Sequence, residues 1–134
     1  MTKFALDTNA ISYLIQGNKS MAKHLNEAVT QGDEIIIPPI AYYEIRRGFK
    51  HKSSPGKELA FSLICKAYKI GEMNLSAWET AANIYGETRK AGNPVEDTDI
   101  LMAAFCITNN YVLVTNNVKH FKDIDGLIIE NWIE

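Results

Sequence analysis

Four short apolar runs, none alternating with polar residues, set the narrowest limits on what this chain can fold into. They are Phe4-Ala5-Leu6, Ile35-Ile36-Ile37, Tyr111 to Val114 and Leu127-Ile128-Ile129. A strand with one wet face alternates, whereas a run that is apolar throughout suits a strand covered on both faces, as in a parallel sheet. Helical patterns lie between the runs. Trp78, Ala81, Ala82 and Tyr85 recur at helical spacing, as do Ile100, Ala103, Ala104 and Ile107, and Glu58 to Tyr68 reads the same way. Strands alternating with helices predict an α/β fold around a parallel sheet. Pro38-Pro39 ends the second strand, Ser53-Ser54-Pro55-Gly56 separates two helices, and Ala91-Gly92-Asn93-Pro94 ends the helix that starts near Ser76. With 134 residues and no linker or repeat, the chain reads as one domain over 1–134 with one core.

Composition removes several classes. Hydrophobic residues make up 46% and charged ones 22%, which is ordinary for a globular protein and argues against disorder. Cys65 and Cys106 each sit in an apolar, helix-like run, the pattern of buried thiols in a reducing compartment. No signal peptide opens the chain and no apolar run approaches the roughly 18 residues of a membrane span, so the expectation is a cytoplasmic protein without a membrane. The net charge of −2 is wrong for a generic nucleic-acid coat. It remains compatible with a nuclease whose carboxylates hold a cation.

The acids are distributed in a telling way. Asp7 directly follows the first strand, at the edge where open α/β sheets bind ligands. Glu44 lies about a turn and a half into the helix after the second strand. Asp97 and Asp99 open the helix before the third. In a right-handed βαβ unit helices run back against their strands, so helix N-termini share an edge with strand C-termini. All four acids therefore land on one edge, where they would repel one another without a cation. Oxygen ligands select hard ions such as Mg²⁺ or Mn²⁺, which can activate water and neutralise a phosphoryl oxygen. Each acid alone has a plainer role: Asp7 or Asp97 as a helix N-cap, Glu44 as a solvated partner of Lys or Arg.

The motifs in order resemble the PIN-domain family. Phe4-Ala5-Leu6-Asp7-Thr8-Asn9 is similar to its first motif, and Tyr43-Glu44-Ile45-Arg46-Arg47-Gly48 to the helix of its second acid. Asp97-Thr98-Asp99-Ile100-Leu101-Met102-Ala103-Ala104 is similar to the helix of its third acid. Leu113-Val114-Thr115-Asn116-Asn117 with His120-Phe121 resembles the fourth motif, and Gly126 to Trp132 the closing strand. Within the family the VapC-type toxin ribonucleases are the nearest group.

The resemblance implies a PIN-like three-layer domain with a central, mostly parallel sheet of four to five strands flanked by helices. It implies a metal-dependent endoribonuclease, the toxin of a toxin–antitoxin pair, with transfer RNA the expected substrate. Asp7 and Asp99 then hold Mg²⁺, which Mn²⁺ can replace, and Glu44 completes the catalytic set. Thr115 orders Asp7 from the neighbouring strand, Asn9 stands beside it, and Asp97 supports from behind. The implied partners are a VapB-type antitoxin, RNA and a second copy of the chain, with DNA reached only through the antitoxin complex. Asn117 departs from the pattern: many members carry a fourth acid there, and some toxins carry Asp where His120 stands. An amide oxygen without charge points to one tightly held metal.

Arg46, Arg47, Lys50, His51 and Lys52 form the only dense basic run, suited to RNA phosphates or an antitoxin tail, and equally to a helix C-terminus. Tyr42 and Tyr43 read as core or interface before base stacking. His24 and His120 read as surface histidines, although His120 could also touch a phosphate. The competing functions are a degenerate PIN module that binds without cutting and an aspartate-nucleophile phosphatase. The latter needs an acid where Asn9 stands.

Overall fold

Each of the four apolar runs forms a strand within a residue or two of its expected place, and a fifth strand joins them. The computed structural model describes residues 1–133. In chain order the elements are β1 (Lys3–Leu6), α1 (Thr8–Ile15), α2 (Lys19–Thr30), β2 (Glu34–Ile37), α3 (Pro39–His51) and α4 (Pro55–Ala67). There follow β3 (Lys69–Ile70), α5 (Leu75–Lys90), α6 (Asp97–Asn109), β4 (Val112–Val114), α7 (Val118–Phe121) and β5 (Ile129–Glu130). The sheet order is β3-β2-β1-β4-β5 and every pairing is parallel. Uniformly apolar strands become a sheet covered on both faces: Phe4, Ala5, Leu6, Ile35, Ile36, Ile37, Leu113 and Val114 are all buried. A fully buried Leu, Ile or Val contributes roughly 1.5–3 kcal/mol.

Prolines start helices here as well as ending strands. Pro39 and Pro55 occupy the first turns of α3 and α4, where a missing N–H costs nothing. Helix α5 corrects the expected apolar stripe. Its buried face is Ala77, Ala81, Ile84 and Thr88. Of the expected set only Ala81 points inward, while Trp78 and Tyr85 are 51% and 45% exposed. Small residues let α5 lie close on α6, whose Ile100 and Met102 to Cys106 are buried. The closing strand also begins two residues later than its apolar run, leaving Ile128 exposed.

Cys106 is fully buried and Cys65 half-buried, and burial pushes both thiols up, toward the unreactive form. His24 is not solvated: it is half-buried, stacked on the buried Trp132 ring at 6.0 Å, with Nδ1 2.9 Å from the Ser20 carbonyl. Tyr42 and Tyr43 are surface residues, Tyr42 against Phe61 and Tyr43 beneath Arg47. Among the described residues no helix is long and apolar enough to cross a membrane.

Candidate active site

The strand order places a crevice where the chemistry was expected. From β1 the chain moves outward one way through β2 and β3, then returns to β4 and β5 on the other side. The switch point lies between the C-terminal ends of β1 and β4. Asp7 follows one of these ends and Thr115 the other, and Asp7 N donates to the Val114 carbonyl at 2.9 Å.

Asp7 is only 5% exposed and is held by three donors. Its Oδ1 accepts from Thr8 N at 2.8 Å, as the N-cap of α1. Its Oδ2 accepts from the Thr115 hydroxyl at 2.7 Å and from Asn9 Nδ2 at 2.9 Å. The Thr115 hydroxyl, fully buried, in turn accepts from Asn117 N at 3.0 Å. Asn9 is oriented by Asn116 N, which donates to Asn9 Oδ1 at 3.0 Å. Asn131 Nδ2 then holds Asn116 Oδ1 at 3.1 Å. The second acid comes from the second turn of α3: Glu44 Oε1 accepts from the Thr8 hydroxyl at 2.6 Å, and Oε2 lies 3.6 Å from Arg47. The third residue of α6 supplies Asp99, whose Oδ2 is 3.3 Å from His120 Nδ1.

Asp7, Glu44 and Asp99 line one cleft of about 470 Å³ with Asn9 and Asn117. Burial pushes the Asp7 carboxyl above its usual range. The Thr115 and Thr8 hydrogen bonds oppose that, and the charges of Asp99 and Glu44 add to it. Burial likewise raises Asp99, against the pull of His120 and with a push from Glu96 and Glu44. A cation in the cleft would relieve both. Among the described residues no group of three or more acidic, His or Cys side chains is placed to hold a metal ion by itself. Mg²⁺ asks less of a protein, since one or two carboxylates with several waters and a substrate phosphate complete its shell. The donor set, oxygen throughout, fits the same ion.

The remaining candidates fall in different places. Asn117 lines the cleft, whereas Asp97 is exposed at the first position of α6 and does not line it. Among the expected basic contacts only Arg47 approaches the acids. Arg46 turns to Glu58 at 3.7 Å and over the Phe49 ring, and Lys50 is exposed without lining the cleft. Sequence reasoning missed the role of Thr8, the Asn116–Asn131 relay, and the direct contact of His120 with Asp99. The Thr8 position next to Asp7 was the available clue. Both Asp7 oxygens already accept hydrogen bonds, and Asn9 donates to Asp7 instead of acting as an acid, which disfavours a nucleophilic aspartate.

Comparison with known proteins gives concordant results. The PIN domain family profile matches residues 4–127. Ribonuclease VapC2 of Rickettsia felis is 28% identical over 130 residues, covering 96% of this chain and 97% of that protein. The tRNA(fMet)-specific endonuclease VapC of Salmonella typhimurium is 28% identical, covering 98% and 99% respectively. Among solved structures, VapBC2 from Rickettsia felis bound to a DNA fragment from its promoter superposes with a TM-score of 0.91 at 26% identity, covering 98% of this chain and 99% of that one.

Proposed function

This chain belongs to the PIN-domain family, and from that premise we propose that it is a metal-dependent endoribonuclease, the toxin of a toxin–antitoxin pair. The observation that carries the reading is the meeting of Asp7, Glu44 and Asp99, from three separate elements, in one cleft at the sheet's switch point. Asp7 and Asp99 are the residues we assign to hold Mg²⁺ or Mn²⁺. When bound, the ion supplies an acidified water and neutralises a phosphoryl oxygen. Thr115 and Asn9 keep Asp7 oriented, as partners behind a metal ligand do. Thr8 fixes Glu44 Oε1, and Oε2 is the atom we assign to receive the proton of the attacking water. Asn117 lends an uncharged amide to the cleft, consistent with one tightly held ion.

The substrate class is transfer RNA, supported by the Salmonella relative, a tRNA(fMet)-specific endonuclease. A VapB-type antitoxin partner is supported by the VapBC complex that shares the fold, and DNA would be reached through that complex. The same reading makes the protein a cytoplasmic homodimer, with residues 1–134 as one PIN unit. The test is cleavage of transfer RNA by purified protein. It should require Mg²⁺ or Mn²⁺, stop with EDTA and leave 5′-phosphate ends, since water and not the RNA 2′-hydroxyl attacks. Activity that persists in EDTA, or 2′,3′-cyclic phosphate products, would overturn the mechanism.

A further inference from the structure

The carboxylate cleft adjoins a second and larger one, of about 530 Å³, between α1 and α3 and at the α3–α4 junction. The two share Thr8, Ser12, Gln16 and Glu44. The larger cleft is walled by Ile15, Ile45 and Phe49 and carries Lys52 and Lys57. Both lysines are exposed, and among the described residues neither has an ion-pair partner. Among the described residues Glu44, at the shared boundary, is its only acid.

Gly48 also lines this cleft, and the fold gives no reason for it. It lies inside α3, where glycine is less stable than alanine. Its φ is not in the left-handed region, and an added Cβ would meet nothing within 4 Å. What a side chain at position 48 would fill is the cleft.

We propose that this cleft is the subsite for the nucleotide next to the scissile phosphate, its base lying along the Gly48 wall against Phe49 and its phosphates on Lys52 and Lys57. The proposal rests on the ribonuclease reading and deepens it. An aromatic face with small polar neighbours and two free cations is the composition that holds a single-stranded nucleotide. The shared wall of Thr8, Ser12, Gln16 and Glu44 puts the next phosphate at Asp7 and Asp99. Unneutralised lysines favour an RNA backbone over an apolar peptide as occupant.

The test uses full-length protein carrying Asp7→Asn, so that RNA is bound and not cut. The probes are a fluorescein-labelled oligoadenylate and an abasic strand of the same length, titrated across a salt series. Replacing Lys52 and Lys57 together by Ala should reduce the salt slope by about 1.4, two phosphate contacts on a single strand. Gly48→Leu should weaken the oligoadenylate at least about fivefold, the smallest loss expected for one stacked base. It should leave the abasic strand unchanged and the melting temperature unlowered. If wild-type protein cuts RNA but neither change alters binding, the subsite is overturned and the ribonuclease reading stands. If the changes release a co-expressed antitoxin while RNA binding holds, the cleft belongs to the protein partner and the proposal fails. If the protein neither cuts nor binds RNA, both readings fall together.

Discussion

Burial disfavours the charge on Asp7 while hydrogen bonds from Thr115 and Thr8 favour it, and burial wins. Asp99 is raised for the same leading reason. Between the ordinary carboxylate value of 3.8 and these raised values the folded chain binds more protons than the unfolded chain. Stability from these two acids is therefore present at low pH, is lost as pH rises through that window, and stays reduced at neutrality. Asp99→Asn should raise the melting temperature at neutral pH without metal, and the gain should shrink as the pH falls toward 3.8. Asp7→Asn should gain less, because its new amide nitrogen would face the donors Asn9 Nδ2 and the Thr115 hydroxyl. Both should lower cleavage on the order of 10²–10³-fold or more. A melting curve beside a cleavage rate checks each variant, and an Asp99→Asn protein that melts many degrees lower would make that acid structural. Thr115→Val leaves Asn117 N without its acceptor and Asp7 with one donor fewer. It should cost about 1–3 kcal/mol in denaturant unfolding and about 10–100-fold in activity.

Two glycines separate what elements need from what they tolerate. A Cβ on Gly71, just after β3, would collide with the Phe105 ring of α6. Gly71→Ala should destabilise by about 1–3 kcal/mol, as overpacking does. Gly48→Ala should have the opposite sign, a gain of roughly 0.5–1 kcal/mol. The difference in urea midpoints checks the pair. The elements themselves were legible to uneven degrees. Strands β1 and β2 were plain because residues such as Ile35, Ile36 and Ile37 are buried on both faces. Strand β3 was not, since a two-residue pairing is decided by the neighbouring Ile36 and Ile37 and leaves no period to read. In α5 two stripes share the helical period, and the one with the aromatics, plainer in the sequence, is not the buried one. Volume misled there, because the close packing of α5 on α6 requires small residues.

For the molecule as a whole, the sheet order turns scattered acids into a site. That much could be anticipated from the sequence, because Asp7, Glu44 and Asp99 each sit at a strand end or helix start whose edge the connection rule predicts. The hydrogen bonds joining them could not. Thr8 to Glu44 and Asn131 to Asn116 depend on side-chain directions between separate elements. The proposed function predicts that the chain expressed alone arrests growth and that its antitoxin relieves the arrest. A harmless lone chain, well folded, would remove the toxin reading.

The same topology orders the site in time. Asp7 and Glu44 leave the ribosome before α5 is made, whereas Asp99 and the hydroxyl that steadies Asp7 follow it. Central strand β1 stays uncovered on one edge until β4 has emerged. A nascent chain that has not yet reached α6 and β4 thus carries half a blade, Asp7 and Glu44 without Asp99 or Thr115.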